Sequence, residues 1–168
     1  MKLITTNSEV ELRPGTIKDI HLLMSFIRSM AKYERLEVYA TEKDLEKSLF
    51  CENPAACTLI AFIDGKPIAY VVYFFTFATM TGKRGLWLDD LFVDPEFRRN
   101  GIGKALMAYM ADVAIQNNCE RFEWMVLDWN KPALNFYKGL DATVLDNWRI
   151  CRLNGVTLAD LARQYSTR

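Results

Sequence analysis

The chain has 168 residues, 51% of them apolar and 25% charged, and its 21 basic residues equal its 21 acidic ones. That length suits one domain with a sizeable core, 1–168, and zero net charge supplies no bulk field toward nucleic acid or membrane. Cys51, Cys57, Cys119 and Cys151 lack Cys-x-x-Cys spacing, His21 is the single histidine, and there is no signal segment and no apolar run of the ~20 residues a bilayer needs, so the expectation is a cytoplasmic chain without metal, disulfide framework or membrane partner.

In chain order, Val10 to Arg13 reads as a short strand. Thr16-x-x-Asp19 then resembles a capping box ahead of Ile17, Ile20, Leu23, Met24 and Ile27 at helical spacing. A second such pattern, Thr41-x-x-Asp44, opens a helix to about Phe50. Cys57 to Ile63 and Pro67 to Phe77 flank Asp64-Gly65, a strong hairpin signal. Trp87 to Val93 is the next strand, after a turn at Thr81-Gly82-Lys83. The helix after the glycine loop places Ile102, Leu106, Met110 and Val113 on one face, against the sheet. Arg121 to Leu127 reads as a buried strand, Pro132 as the first residue of a helix, and Trp148 to Leu153 as a late strand.

The chemistry concentrates between Leu91 and Lys104. An apolar strand passes through Asp94-Pro95-Glu96-Phe97-Arg98-Arg99-Asn100-Gly101-Ile102-Gly103-Lys104 into an amphipathic helix. First-turn amides of a helix lack intrahelical acceptors and carry the positive end of its dipole, so this junction is built for an anion. Gly101 and Gly103 remove the Cβ atoms that would hold a phosphate away, while Arg98 and Arg99 add charge. A Walker loop would need glycine at Arg98 and Ser or Thr at Ala105, and a dinucleotide fingerprint would need a small residue at Leu106. Neither fits.

What remains is Arg-x-x-Gly-x-Gly after a strand, and on this motif the chain resembles the GNAT superfamily of N-acetyltransferases. The segment Asp128-Trp129-Asn130-Lys131-Pro132-Ala133-Leu134-Asn135-Phe136-Tyr137-Lys138 narrows the resemblance to the spermidine/spermine N1-acetyltransferases and their thialysine-acetylating relatives. Ala31-Lys32-Tyr33-Glu34, Tyr73-Phe74-Phe75-Thr76 and Leu88-Asp89-Asp90-Leu91-Phe92-Val93 extend it over most of the chain.

The resemblance implies an α/β fold: a mixed, mostly antiparallel central sheet with two parallel strands splayed apart and helices on both faces. It implies acetyl-coenzyme A as cosubstrate, held by Leu91, Phe92, Val93, Arg98, Arg99, Asn100, Gly101, Ile102, Gly103 and Lys104, and by Asn130, Pro132 and Ala133. The Leu91 amide becomes a donor to the thioester carbonyl, a type of contact worth roughly 3 kcal/mol to an oxyanion. Tyr137 is expected to protonate the departing thiolate. Asp89, directly or through water, is expected to take the proton of the attacking amine, with Asp90 the other carboxylate of the pair. The acceptor, a small primary amine (diamine, polyamine or lysine-like), would meet Tyr33, Glu34, Asp89, Glu123, Trp124, Met125 and Asp146. Relatives form homodimers.

Two departures bear on the acceptor. Ala78 stands where some polyamine enzymes have aspartate and Met80 where they have tryptophan, which favours a shorter amine over a long polycation. Leu140-Asp141 replaces the usual Leu-Gly after the tyrosine helix. A protein or peptide N-acetyltransferase and a non-catalytic acyl-coenzyme A module are the alternatives, the second disfavoured because a sensor has no need of Tyr137.

Overall fold

The computed structural model describes residues 1–5 and 9–166. These form two compact units, Met1–Leu127 and Asp128–Arg168.

The first unit is built on one six-stranded sheet, with strands adjacent in chain order. They are β1 Lys2–Ile4, β2 Glu9–Pro14, β3 Cys57–Ile63, β4 Lys66–Ala78, β5 Lys83–Val93 and β6 Cys119–Trp124. All neighbours pair antiparallel except β5 and β6, which run parallel. A parallel pair needs a crossover, and α3 (Ile102–Gln116) supplies it. Ile102, Leu106, Met107, Met110 and Ala114 form its buried stripe. Val113 is only half-buried, because the stripe drifts at 3.6 residues per turn onto Ala114.

Both capping patterns form. Thr16 and Asp19 close a reciprocal box before α1 (Ile20–Glu34), and Thr41 and Asp44 close another before α2 (Glu42–Leu49). The hairpin between β3 and β4 turns on Asp64 and Gly65 with φ of 49° and 75°, the two positive values a type I′ turn requires. Leu23, Met24 and Phe26 of α1 pack with Leu45 of α2 against Ile60, Tyr70, Val72 and Phe92 of the sheet. This is the core on the α1 face.

Three expectations are corrected here. β5 begins at Lys83, four residues before Trp87, because Lys83, Arg84 and Gly85 continue the ladder opposite Ala78, Phe77 and Thr76. β6 ends at Trp124 rather than Leu127, and none of its residues is fully buried. Among the described residues it is the edge of the sheet, so one of its sides has no described strand against it. The expected late strand at Trp148–Leu153 is irregular chain, with Trp148, Ile150 and Leu153 at 72%, 65% and 51% exposure. An apolar pattern makes a strand only where a neighbouring edge pairs with it, and no described residue does.

The second unit holds α4 (Lys131–Lys138) and α5 (Gly155–Ser166). The Asn130 side chain caps α4 by accepting from the Ala133 amide at 3.2 Å, so Lys131 is the first helical residue and Pro132 the second. Gly139 ends the helix in a right-handed conformation, and Asp141 takes the left-handed one, φ 59°. Neither α5 nor β1 was legible in the sequence pattern.

Candidate active site

The β5–β6 ladder stops at the pair Leu88–Trp124. β5 nevertheless continues to Val93, still paired with β4 on its other side, so Asp89–Val93 present an edge that β6 does not cover. The parallel pair expected from the sequence is therefore present, and Leu91 and Val93 lie on the part of β5 beyond its ladder with β6.

Beyond Val93 the chain makes a short 3-10 turn, Pro95–Phe97, capped by Asp94, whose carboxylate accepts from the Glu96 amide at 3.0 Å. Arg99 and Gly101 then take left-handed backbone, φ 66° and 78°, and Gly101 is the N-cap of α3. The first-turn amides of α3, Ile102, Gly103 and Lys104, have no acceptor within the helix. Ile102 is buried, while Gly101 and Lys104 are exposed. Open strand edge, glycine cap and helix N-terminus follow one another without interruption. An extended arm ending in phosphates fits that sequence of donors, the arm along β5 and the phosphates at α3.

Arg98, expected to add charge at this junction, is anchored to the end of β5. Its Nε donates to the Val93 carbonyl at 2.8 Å. Its guanidinium lies 4.8 Å from the Tyr33 ring centroid and 5.4 Å from that of Phe92, within the range of cation–π attraction. It thus ties the exit of β5 to the C-terminal turn of α1. Asn100 donates to the Phe97 carbonyl at 3.4 Å and stiffens the same loop.

Asp89 and Asp90 have unlike surroundings. The β4–β5 register steps from Val72 opposite Asp90 to Tyr73 opposite Leu88, so Asp89 is the extra residue of a bulge and is exposed. Asp90 points toward the α1 face, where the Tyr70 hydroxyl donates to its Oδ2 at 2.9 Å and the Met30 sulfur lies 3.5 Å from that hydroxyl. Burial pushes the Asp90 carboxyl up to about 6; Asp89 and Glu34 add to the rise and the Tyr70 hydrogen bond opposes it. Burial, with Asp90 beside it, raises Tyr70 far above the usual phenol. Glu34, partly buried at the end of α1, is raised by desolvation. Tyr33, Glu34, Asp89 and Asp90 thus occupy one neighbourhood, and Tyr70 is a member of it that sequence reasoning missed. The signal available was a carboxylate on an inward strand position, which needs a buried donor.

Of the other expected acceptor residues, Glu123 forms an ion pair with Arg121 at 2.7 Å, Trp124 packs on Phe122 at 4.9 Å between centroids, and Met125 is 48% exposed. In the second unit, Asn130 is buried, Pro132 is exposed, Ala133 is half-buried and Asp146 is exposed. Tyr137 is half-buried on α4, its ring 5.3 Å from that of Phe136. Ala78 is only 4% exposed, and its carbonyl accepts from Thr81 and Gly82. Among the described residues no group of three or more His, Cys, Asp or Glu could hold a metal ion, and no helix is long and apolar enough to cross a membrane.

Residues 24–141 match the acetyltransferase (GNAT) family. The chain belongs to that family. A thialysine N-epsilon-acetyltransferase of Sus scrofa is 35% identical over 92% of this chain and 98% of its own length. An L-ornithine N5-acetyltransferase of Arabidopsis thaliana is 26% identical over 88% and 85%. Among solved structures, an integron cassette protein of V. cholerae superposes with a TM-score of 0.77 at 28% identity, covering 92% of this chain and 98% of that one. This GNAT acetyltransferase therefore shares nearly its whole length with small-molecule N-acetyltransferases and its fold with the integron cassette protein.

Proposed function

We propose that the chain transfers the acetyl group of acetyl-coenzyme A to the side-chain amine of a small, lysine-like amino acid, by direct attack with both substrates bound. The observation that carries the reading is the uncovered edge of β5 leading into the Gly101-capped start of α3. In this reading the amides of Leu91 and Val93 hold the pantetheine arm and the first-turn amides at Ile102–Lys104 hold the pyrophosphate, and the family resemblance adds Asn130, Pro132 and Ala133 as cofactor residues. The Leu91 amide then faces the thioester carbonyl, where a fixed donor stabilises developing negative charge.

The acceptor class rests on two supports. The relatives at 35% and 26% identity are named for thialysine and ornithine, amino acids with a terminal amine. The wall formed by Glu34, Asp89 and Asp90 supplies negative charge for a single ammonium, and Tyr33 an aromatic face beside it. Tyr137 serves as the acid for the departing thiolate, whose proton affinity lies near that of a phenol. One domain, 1–168, acting in the cytoplasm as a homodimer completes the reading, with the exposed Trp148, Ile150, Leu153 and Leu161 as apolar surface for a second copy.

The test is release of the coenzyme A thiol across thialysine, lysine, ornithine, diamines, spermidine, spermine and peptides. Thialysine or ornithine should give the highest specificity constant. A preference for peptides would sink the small-molecule reading, and acetyl-coenzyme A binding without any amine-dependent release would make the chain a sensor.

A further inference from the structure

An amine that reaches its site as an ammonium must give up a proton before its nitrogen can attack, and β5 offers two adjacent carboxylates to receive it. The bulge separates them. Asp89 lacks a partner on β4 and stands in solvent, whereas Asp90 keeps its ladder position opposite Val72 and turns toward α1. There Tyr70 fixes it with a 2.9 Å hydrogen bond. Tyr70 cannot easily swing away, because its ring stacks on Phe26 at 5.4 Å and leans on Phe92 at 6.3 Å. A rigid donor therefore aims one carboxylate, one residue before the Leu91 amide.

We propose that Asp90, oriented by Tyr70, is the carboxylate that collects the proton of the acceptor ammonium, with Tyr70 a positioning residue. The inference rests on the acetyl-transfer reading above. Two protons leave the ammonium over the reaction. The first passes to the Asp90 carboxylate and on to water, freeing the nitrogen lone pair to form the C–N bond as the C–S bond breaks onto sulfur. The second leaves the new amide nitrogen and offsets the one that Tyr137 gives to the thiolate. One proton is released per turnover. A carboxylate accepting a single hydrogen bond has lone pairs left for this purpose.

The surroundings suit the task. The charged and titratable groups Asp90 senses are Tyr70 on β4, Glu34 on α1 and Asp89 beside it on β5. Burial and the two like charges hold its carboxyl up at about 6, so it is mostly ionised at neutral pH and a stronger proton acceptor than an ordinary carboxylate.

The pH dependence of kcat/KM for the best amine, at saturating acetyl-coenzyme A, separates the possibilities. The unmodified protein should show an acid limb that rises through about pH 6. Asp90→Asn should lower kcat/KM by roughly 100-fold to 10,000-fold and abolish the limb, with acetyl-coenzyme A affinity unchanged by calorimetry. Tyr70→Phe keeps the packed ring but deletes a hydrogen bond that favours the ionised form, so the limb should move to higher pH. Asp89→Asn removes a like charge, so the limb should persist and move to lower pH. A limb left intact by Asp90→Asn, or lost in Asp89→Asn instead, overturns the proposal while leaving acetyl transfer standing. If Asp90→Asn does not fold by circular dichroism, an unmoved limb in Tyr70→Phe overturns it equally. An unmodified protein that acetylates no amine overturns the underlying reading and this inference with it.

Discussion

Asp19 accepts a two-pronged hydrogen bond from Arg13, 2.8 Å on each oxygen, and two more from the amide and hydroxyl of Thr16. The guanidinium, followed by the Thr16 donors, holds its carboxyl far below the usual range despite burial. A depressed folded value means the stabilisation is complete above the unfolded value of ~3.9 and is lost as pH falls toward the folded one. Asp19→Asn should therefore lower stability by about 1–3 kcal/mol at pH 7. Urea unfolding should show the gap closing as the pH drops below ~4. Tyr137→Phe is the matching test of chemistry. It keeps the ring against Phe136 and should lower kcat roughly tenfold to ten-thousandfold with little change in acetyl-coenzyme A affinity, measured by single-turnover kinetics and calorimetry. The Thr16–Asp19 cap was legible in the sequence, and so was the Asp89–Asp90 pair. Which aspartate faces the interior was not, because the bulge at Asp89 depends on the β4 register and leaves no mark in the spacing.

Elements were legible where a local signal fixes them and obscure where a neighbour does. Thr16, Thr41 and Asp64-Gly65 act within a few residues of themselves, and each forms as the spacing predicts. The end of β6 and the fate of Trp148–Leu153 depend on whether another strand is alongside, which the chain does not encode locally. Asp141 lies between these cases. The departure from Leu-Gly was visible, and the structure gives its consequence: Asp141 adopts the left-handed backbone, φ 59°, just after α4. Glycine enters that region without a Cβ penalty. Asp141→Gly should accordingly stabilise the protein by about 0.5–1 kcal/mol in thermal unfolding; a destabilised variant would show that the aspartate side chain contributes more than its backbone strain removes. At the start of α3 the opposite change is informative. Gly103→Val places a branched side chain among the amides offered to the pyrophosphate and should weaken acetyl-coenzyme A binding at least tenfold, about 1.4 kcal/mol by calorimetry. Unchanged affinity would take those amides out of the site.

Across the whole molecule, basic and acidic residues cancel, so in the proposed reading attraction of a cationic acceptor falls to the local acids Glu34, Asp89 and Asp90 rather than to a long-range field. Those acids sit at one end of β5. The hairpin carrying Ala78 and Met80 sits at the other: Lys83, the partner of Ala78, is six residues before Asp89, roughly 20 Å at 3.3 Å per residue. A lysine-like amino acid does not need that end, whereas a long polyamine would have to find a second anion along the way. Ala78 offers none, being apolar and 4% exposed, and Glu120 nearby accepts the Thr81 hydroxyl. The specificity constant for thialysine or ornithine should therefore exceed that for spermine, and raising the salt concentration should reduce both only modestly because the attraction is short-ranged. Restoring the aspartate is not a simple gain. Ala78→Asp would bury a carboxylate beside the turn carbonyls and should cost about 1–3 kcal/mol of stability, seen as a lower unfolding midpoint. A protein that already prefers spermine to thialysine would refute the argument, since it would show that a second anion for the polyamine exists despite Ala78.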